Sequence, residues 1–478
     1  MRKKTHSPGT IGSGPLTTGG QRGADAEQEP KRTPSNPTRD TWEHMVTEET
    51  LPTTGRPATI AILGAGNRGS VYSRWVAAHP ERAKVVAVAE PRDYQRKTLA
   101  ELHGVPPERT FSSWADLVAA GDAGKLADAA VVATQDNDHI EPAIRLAEQG
   151  YHLLVEKPMA PTEEGCRALL DAVQRTGVML AVCHVLRYTP YTQLLKEVLD
   201  SGRIGEIMSI QHLEPVGYWH QAHSYVRGNW RREDESSSML LAKSCHDIDW
   251  IRYVVGAPIE KVSSFGRLSY FKRENQPAGA ADRCLDCAVE PTCAYSAKKL
   301  YLGMIQRGET GWPLHTVTND ITEEGVTKAL AEGPYGRCVW ACDNDVVDHQ
   351  VVSMEFAGGA TGTFTMVGFA EKGHRRTQIF GTQGTVDCDG EHVTVFDFLT
   401  DRTEVLSVPA TGHDAGSGHG GGDAGLMDSF TAALVAGDPS LIRSGGLESL
   451  ETHLAVFAAE RARHTGSVEP VDVPVARG

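Results

Sequence analysis

A strand that runs into a glycine-rich turn and then into a helix constrains the fold of this chain most. The apolar run 58–63 leads into "GAGNRG" at 64–69, and a helix is predicted from about Ser70. A second predicted strand, 84–90, ends in Glu90, which follows the turn by about 20 residues. Glycines at this spacing allow a tight turn, a close approach to a pyrophosphate and close packing of the helix on the strand. The context predicts a doubly wound parallel sheet that binds a dinucleotide; the same fold with another ligand is the alternative.

The turn and the end of the second strand supply the first predicted cofactor-binding residues. The helix N-terminus directs backbone N–H groups at the phosphates. The candidates in the turn are Gly64, Gly66, Asn67, Arg68 and Gly69. Glu90 is predicted to accept hydrogen bonds from a ribose 2′-hydroxyl and to repel a 2′-phosphate, which favours NAD over NADP. Arg92 keeps NADP open, because a guanidinium binds phosphate well.

Two further predicted strands end in polar residues. Strand 129–133 runs into "TQDNDH", and strand 152–155 runs into "EKP". Ligands of open parallel sheets bind beyond the carboxyl ends of the strands. The residues at these ends that are predicted to contact the cofactor are Thr134, Gln135, His139, Glu156 and Lys157.

Composition restricts the partners and the location of the protein. The 478 residues carry 47 Lys and Arg against 62 Asp and Glu, and this formal charge of -15 disfavours a nucleic-acid partner. No apolar run approaches the roughly 18 residues of a membrane helix. Residues 1–57 are rich in Gly, Pro, Thr and Ser and predict a disordered tail. The first residues lack the apolar segment and cleavage site of a secretory signal, so we expect a soluble, cytoplasmic protein without a membrane partner.

The length predicts two domains after the tail, at 58–178 and 179–475. The segments 344–369 and 376–390 alternate apolar and polar residues between glycine turns, as antiparallel strands do. The expected fold class is therefore α/β, with a doubly wound parallel sheet first and a second α/β domain with antiparallel strands.

Candidate substrate contacts come from two segments of the second domain. Arg187 and Tyr188 follow a predicted strand and either reach the cleft or pack between the domains. The run "YWHQAHSYVRGNW" at 218–230 interleaves aromatic rings with hydrogen-bond donors, which suits a polyol, although a core loop is the alternative. We take His223 and Tyr225 as the candidates of this run.

Three further positions are candidates for the chemistry. His246, in "AKSCHDIDW", is predicted to be a general acid/base, since histidine exchanges protons near neutral pH; a helix-cap histidine is the alternative. Its neighbour Lys243 is a candidate substrate contact. His419 and Asp423 flank "GHGGGD", a glycine-rich segment that is either a linker or a loop that closes on the substrate.

Five of the nine cysteines are clustered. "CLDCAVEPTC" is followed by "GRCVWAC", and reduced cysteines at C-x-x-C spacing are more often metal ligands than disulfides. A structural zinc site needs four such ligands. The predicted ligands are Cys284, Cys287, Cys293 and Cys338, with Cys342 as an alternative fourth ligand. An iron–sulfur cluster and free thiols remain alternatives, and residues of about 270–345 are predicted to be an insertion.

The motifs "GAGNRG", "ATQDNDH" and "EKP" together resemble the Gfo/Idh/MocA family of oxidoreductases, named after glucose-fructose oxidoreductase and inositol dehydrogenase. The resemblance extends from about residue 58 to the C-terminus. It implies a nicotinamide-binding Rossmann domain followed by an α/β domain whose large open sheet bears the substrate site. It also implies that an exposed face of this sheet pairs subunits into a homodimer or homotetramer.

The same resemblance implies that Lys157 is the active-site lysine, with Pro158 fixing its direction. A cation beside the reacting oxygen stabilises a developing alkoxide; a lysine that only pairs with Glu156 is the alternative. Many relatives carry an aspartate four residues before the motif histidine, and here that position is Ala242. His246 must therefore act with Lys157, with Lys243 or with a residue from another loop.

Three functions follow from these motifs. The first is an NAD-dependent dehydrogenase that moves hydride between nicotinamide and a sugar, amino sugar or cyclitol. The second is a redox-assisted glycosidase that keeps NAD bound, because "HGGGD" is similar to a loop of NAD-dependent glycosidases in the family. The third is a non-catalytic cofactor-binding sensor, which the missing acid at Ala242 alone supports.

Overall fold

The computed structural model describes residues 56–371, 374–408 and 419–472. The predicted tail 1–57 lies outside these ranges except for Arg56 and Pro57. Arg56 forms an ion pair of 2.6 Å with Asp128.

The first sheet has six parallel strands in the order β3-β2-β1-β4-β5-β6. Its strands are β1 Ala58–Leu63, β2 Ala83–Ala89, β3 Thr110–Phe111, β4 Ala129–Val132, β5 His152–Val155 and β6 Leu180–Val182. The central strands are buried along nearly their whole length, which explains why they read as continuous apolar runs. The predicted doubly wound sheet is confirmed.

Helices connect these strands and lead into the second sheet. They are α1 Asn67–Ala78, α2 Asp93–His103, α3 Trp114–Gly121, α4 Ile140–Glu148, α5 Glu163–Thr176 and α6 Pro190–Asp200. Local sequence sets their ends: Thr162 Oγ1 accepts from Gly165 N at 3.1 Å at the start of α5, and Gly177, with φ 70°, ends that helix. Thr189 caps α6 in the same way, ahead of Pro190.

The second sheet has nine strands in the order β14-β13-β12-β11-β7-β10-β9-β8-β15. They are β7 Ile207–Gly217, β8 Ile259–Arg267, β9 His349–Phe356, β10 Thr361–Ala370, β11 Arg376–Gly381, β12 Gly384–Cys388, β13 His392–Asp397, β14 Arg402–Ser407 and β15 Glu469–Pro470. Only β7 and β10 pair in parallel; every other pair is antiparallel. The predicted large, mostly antiparallel sheet is confirmed.

Seven helices lie between or after these strands in the described ranges. They are α7 Tyr218–His220, α8 Met239–Ala242, α9 Cys245–Val255, α10 Gly303–Gln306, α11 Glu323–Glu332, α12 Gly422–Ala436 and α13 Gly446–Thr465. Helices α9 and α13 pack on one face of the nine-stranded sheet. In β9 every second residue is buried, and the alternate ones, such as Val351, face outward.

The C-terminal helices also contribute to the first sheet. Leu426 and Phe430 of α12 share a buried cluster with Ile60 and Ile62 of β1, and α13 packs on α5. The chain therefore returns to the nucleotide-binding half after building the second sheet, which the linear boundary at 178 did not include. This return brings the segment that begins at His419 to the carboxyl ends of the first-sheet strands.

The segment between β8 and β9 has an apolar cluster of its own. Tyr301, Leu314, Val326 and Leu330 are buried there together with Cys284. This segment contains the residues of the predicted insertion, about 270–345. Among the described residues, no helix combines the length and the apolar character needed to cross a membrane.

Candidate functional site

Two glycines of the first turn cannot be replaced without collision. A Cβ atom at Gly64, whose φ is 90°, would lie 2.3 Å from the carbonyl oxygen of Ala133. A Cβ atom at Gly69 would lie 1.9 Å from the carbonyl oxygen of Gly64. At Gly66 the nearest atom to such a Cβ is a terminal nitrogen of Arg92, 3.4 Å away, so this part of the turn is open. Close packing on one side and open backbone on the other fit a pyrophosphate at the N-terminus of α1.

The carboxylate of Glu90 closes the turn from the end of β2. Its Oε2 accepts a hydrogen bond from Ala65 N at 2.8 Å, and its Oε1 accepts from Arg92 N and Nε at 2.9 and 2.7 Å. Burial opposes ionisation of Glu90, but the hydrogen bonds from Arg92 and Ala65 outweigh it and lower the pKa. An ionised, anchored carboxylate at this point fits the ribose of NAD. The Arg92 side chain is 55% exposed, so it can turn away from Glu90.

Lys157 extends from the end of β5 into the second domain. Its Nζ donates a hydrogen bond of 2.5 Å to the carbonyl oxygen of Ala242, and its N–H donates to Glu156 Oε2 at 3.0 Å. The peptide bond to Pro158 is cis. His139 Nδ1 lies 2.8 Å from the carbonyl oxygen of Pro158. The backbone that carries Lys157 is thus held on both sides, and its ammonium contacts the end of α8, four residues before His246 of α9.

The other predicted cofactor contacts lie at the end of β4. Thr134 Oγ1 donates to the carbonyl oxygen of Asp138 at 2.9 Å, and Gln135 Oε1 lies 3.4 Å from Asn229 Nδ2. His139 Nε2 lies 3.3 Å from the carbonyl oxygen of Thr134. His139 is 1% exposed and therefore holds the backbone beside Lys157 instead of presenting its ring to a ligand.

Arg68, predicted as a phosphate contact, is the centre of an ion-pair network. Its Nε donates to Glu156 Oε1 at 2.6 Å, and a terminal nitrogen pairs with Asp423. Tyr72 OH donates to the same Glu156 oxygen at 2.6 Å, and His419 Nδ1 lies 3.1 Å from Asp423 Oδ2. Burial opposes ionisation of Glu156 and Asp423, yet Arg68 lowers the pKa of both. The network ties the glycine turn and the end of β5 to the start of α12.

His246 lies at the meeting point of these segments. Its ring centroid is 5.8 Å from that of His419 and 6.0 Å from that of His184, and its Nδ1 is buried without a hydrogen-bond partner. Burial and the positive charge of Lys157 lower the pKa of His246 well below 6.5. The ring is therefore neutral at pH 7 and can accept a proton.

The aromatic segment presents a different histidine from the one predicted. His223 Nδ1 lies 2.7 Å from Tyr301 OH, inside the insertion, so it is a packing residue. His220, three residues earlier, lies where burial and the charges of Lys243 and Lys157 lower its pKa well below 6.5. His220 therefore lies near the lysines and was missed by the sequence analysis.

Tyr225 lies behind His220. Its ring centroid is 5.9 Å from that of His220 and 6.2 Å from that of Trp230, and the residue is 4% exposed. Burial raises the pKa of the phenol well above 10. Tyr225 therefore packs against His220 and Trp230, and its burial argues against a direct contact with a substrate.

Arg187 and Tyr188, predicted as substrate contacts, are buried residues. Arg187 is fully buried, donates twice to Asp249 at 2.7 Å and also pairs with Glu448. Tyr188 OH lies 2.8 Å from Ser444 Oγ. Arg187 joins the segment after β6 to helices α9 and α13, and Tyr188 joins it to the residues just before α13. Whether either residue contacts a substrate stays a prediction.

Lys243 belongs to a second charged network that the sequence analysis did not find. Its Nζ lies 3.0 Å from Glu214 Oε1 on β7, and Arg375 Nε lies 3.0 Å from Glu214 Oε2. Arg375 Nε also donates to Asp247 Oδ1 at 2.5 Å, and His212 Nε2 lies 3.0 Å from that oxygen. A signal existed in the sequence, because His212 and Glu214 share the buried register of β7.

The predicted zinc site is not formed. Four cysteine side chains line one small pocket: Cys284, Cys287, Cys293 and Cys338. Among the described residues, however, no three or more His, Cys, Asp or Glu side chains are grouped so as to hold a metal ion. Two of the thiols have separate partners instead: Ala297 N lies 3.5 Å from the sulfur of Cys284, and Gln276 Nε2 lies 3.6 Å from that of Cys338. None of the nine cysteines forms a disulfide.

Two models of one protein family match this chain. The model described as "Oxidoreductase family, NAD-binding Rossmann fold" matches residues 58–184, and its companion, "Oxidoreductase family, C-terminal alpha/beta domain", matches residues 196–424.

Individual proteins show the same likeness. The putative oxidoreductase YteT of Bacillus subtilis is 23% identical over 63% of this chain and 71% of its own length. The scyllo-inositol 2-dehydrogenase (NAD(+)) of the same organism is 28% identical over 44% of this chain and 57% of its own length. For several other curated relatives the chain spans about half of their length.

The solved structure of a levoglucosan dehydrogenase with NADH and levoglucosan has a TM-score of 0.64 and 20% identity, covering 87% of this chain and all of that one. At this identity the likeness concerns the fold. The two family models together cover more than half of the residues. The chain therefore belongs to the Gfo/Idh/MocA family of oxidoreductases and contains that family's NAD-binding Rossmann fold.

Proposed function

We propose that the protein is an NAD-dependent dehydrogenase that oxidises a hydroxyl group of a sugar, amino sugar or cyclitol, or reduces the corresponding ketone. One observation carries the proposal. The ammonium of Lys157 extends from the nucleotide-binding sheet and hydrogen bonds to Ala242 at the end of α8, four residues before His246 at the start of α9. A cation and a neutral imidazole, close enough for the charge of Lys157 to lower the pKa of His246, thus lie beyond the carboxyl ends of the strands, where a substrate of this fold binds.

The chain's own residues account for the proton chemistry. NAD, when bound, supplies the hydride acceptor. The Lys157 ammonium stabilises negative charge that develops on the substrate oxygen. His246, neutral at pH 7 because burial and Lys157 lower its pKa, accepts the proton that the hydroxyl loses. Gly66 and Glu90 are the residues that would hold the pyrophosphate and the ribose.

The names of relatives support the substrate class. A scyllo-inositol dehydrogenase and a levoglucosan dehydrogenase are among the similar proteins. The experiment is a panel of neutral sugars, amino sugars and cyclitols, incubated with the full chain and NAD. We expect NADH absorbance with at least one of them, and no NADH with any member of the panel overturns the proposal.

A redox-assisted glycosidase is the second candidate, and the Arg68 network favours it. His419 is paired with Asp423, and burial together with Arg68 lowers the pKa of His419 below 6.5 although Asp423 opposes the change. Its ring lies 5.8 Å from that of His246, so the site contains two neutral imidazoles. One of them can remove a proton from the sugar ring and, as the imidazolium so formed, deliver that proton to the leaving oxygen. Release of a chromogenic phenol from aryl glycosides without net NADH would identify this activity.

We further propose a homodimer or homotetramer in the cytoplasm. The outward face of the nine-stranded sheet exposes Phe265 by 71% and Val351 by 38%, which supports pairing through this face. Nine free thiols suit a reducing compartment. Light scattering tests the assembly, and a monomer at micromolar concentration contradicts it.

A further inference from the structure

A buried carboxylate on the second sheet has no role in the proton chemistry described above. Glu214 on β7 is 6% exposed and lies between Lys243 Nζ and Arg375 Nε, each 3.0 Å from one of its oxygens. The side chains of Lys243 and Arg375 are 18% and 24% exposed. Each carboxylate oxygen is thus paired with one cation and keeps a lone pair that can accept a further hydrogen bond, while both cations are partly exposed.

Lys243 faces the same space as the proposed catalytic residues. It directly follows Ala242, whose carbonyl oxygen holds the Lys157 ammonium. After burial, the charge of Lys243 is the largest cause that lowers the pKa of His220, and it also lowers the pKa of His419. The Lys243–Glu214 pair therefore lies beside Lys157, on the side of the second sheet.

Among the described residues, the positive and negative side chains around Lys157 and Lys243 are equal in number. The cations are Arg68, Lys157, Lys243 and Arg375, and the anions are Glu156, Glu214, Asp247 and Asp423. The three histidines at the site are neutral at pH 7, because burial lowers the pKa of His220, His246 and His419. Among these groups no cation is left in excess for a carboxylate or phosphate of a substrate.

A lysine beside a carboxylate offers donors and acceptors side by side. An ammonium has three donors and no acceptor, whereas an ionised carboxylate only accepts. Two adjacent hydroxyl groups of a ring match this pattern, since one oxygen accepts from the ammonium and the next hydroxyl donates to the carboxylate. A negatively charged substrate would find no unpaired cation in this pair, because Glu214 already neutralises Lys243.

We propose that Lys243 and Glu214 form a subsite that binds two adjacent hydroxyl groups of an uncharged ring and thereby selects neutral polyols over sugar acids. The subsite rests on the proposed function and names its substrate class. Arg375 holds the Glu214 carboxylate in place, and Asp247 and His212 hold Arg375. Position 242, where many relatives carry an aspartate, is alanine in this chain. In the proposed subsite the carboxylate comes instead from Glu214 on β7.

The test measures binding and turnover separately. Calorimetry with NADH present compares myo-inositol and D-glucose with glucuronate and with methyl 3-deoxyglucoside, whose free hydroxyls at C2, C4 and C6 are not adjacent. We expect myo-inositol and D-glucose each to bind about tenfold more tightly than glucuronate. Glu214→Gln should weaken binding of these two diol probes about tenfold and change binding of methyl 3-deoxyglucoside, the deoxy probe, much less, because it has no adjacent pair of hydroxyls to lose. Preferential binding of glucuronate, or equal losses for the diol and deoxy probes, overturns the subsite.

Two controls separate the subsite from folding and from the proposed function. Lys261→Met removes an exposed lysine–glutamate pair of 2.8 Å on the same sheet and should leave all probes unchanged. Lys243→Met should repeat the effect of Glu214→Gln while NADH affinity stays at the wild-type value. NADH formation from a neutral sugar combined with preference for glucuronate overturns the subsite alone. Selective binding of neutral diols without any turnover overturns the dehydrogenase and supports the subsite.

Discussion

The Nζ atom of Lys157 lies 2.5 Å from the carbonyl oxygen of Ala242. Position 242 has no side-chain acid, so the backbone supplies the acceptor that holds the lysine. The carbonyl oxygen cannot take up a proton, whereas the neutral imidazole of His246 can. The contact therefore supports the proposed roles of Lys157 as the cation and His246 as the proton acceptor.

Replacing Lys157 with methionine tests this division. The thioether keeps most of the side-chain length but removes the charge beside the reacting oxygen. Loss of one stabilising group of this kind lowers turnover by about 100- to 1,000-fold, and we expect kcat to fall by that amount. NAD affinity should change little, because the predicted pyrophosphate and ribose contacts come from the glycine turn and Glu90. Steady-state kinetics and NAD titration measure the two effects.

The matched control is Lys97→Met. Lys97 forms an exposed pair of 2.6 Å with Asp93 on α2, remote from the end of β5. It should retain wild-type turnover. A Lys157→Met variant that loses NAD affinity but keeps its kcat would make Lys157 a cofactor ligand instead.

Replacing Arg68 tests the ion-pair network that joins the glycine turn and the end of β5 to the start of α12. Arg68→Met leaves Glu156 and Asp423 buried without their cation, and breaking such pairs destabilises proteins by about 3–5 kcal/mol. We expect the midpoint of urea unfolding to fall clearly. Arg82→Met is the control, since its pair of 3.2 Å with Asp428 is more exposed and should contribute about 0–1 kcal/mol. Equal losses in the two variants would show that the Arg68 network has no special structural role.

The sequence predicted the elements of the first sheet because their signals are local. The run 58–69 contains an apolar strand, its turn glycines and the start of α1 within twelve residues, and "EKP" directly follows a buried strand. The positions of Glu90 and Lys157 at strand ends follow from the same patterns. Contacts between distant segments do not follow from local patterns: Arg68 and Asp423 form an ion pair although they are 355 positions apart. Only the return of α12 to the first sheet brings them together.

Two features of the site could not be predicted from the sequence, for different physical reasons. His220 and His223 lie in one aromatic run, and the wide helical turn at Gln221–Arg227 changes which side chains share a face. Glu214 was overlooked although its register on β7 is readable, because an acid in a buried register is unusual without its partners. Those partners, Lys243 and Arg375, come from distant segments.

Cofactor choice is tested at Glu90. We expect the anchored carboxylate to accept hydrogen bonds from a ribose diol and to repel a 2′-phosphate, so NAD should bind at least about tenfold more tightly than NADP. Glu90→Ala should weaken the binding of NAD. It should also reduce the difference in affinity between NAD and NADP, because Arg92 is then released from its ion pair with Glu90. Arg92→Ala is the companion variant and should leave the preference for NAD in place. Fluorescence titration with both nucleotides measures the ratios, and a wild-type preference for NADP would contradict the assignment.

The buried histidines predict how stability depends on pH. His453 Nε2 accepts from Met159 N at 2.8 Å, and its Nδ1 lies 2.7 Å from the carbonyl oxygen of Ser449. Burial lowers its pKa from 6.5 to about 4, and lowers that of His184 to about 3. Between these values the unfolded chain binds more protons than the folded one, so the free energy of unfolding is largest above pH 6.5 and falls as the pH decreases towards 4.

His453→Gln isolates this contribution. The glutamine amide keeps an acceptor for the Met159 N–H but does not titrate, so part of the loss of stability between pH 7 and pH 5 should disappear. Urea unfolding of both proteins at the two pH values measures the difference. His464→Gln replaces an exposed histidine and should keep the wild-type pH dependence. An unchanged slope in His453→Gln would mean that His453 is already protonated in the folded state, contrary to its hydrogen bond with Met159.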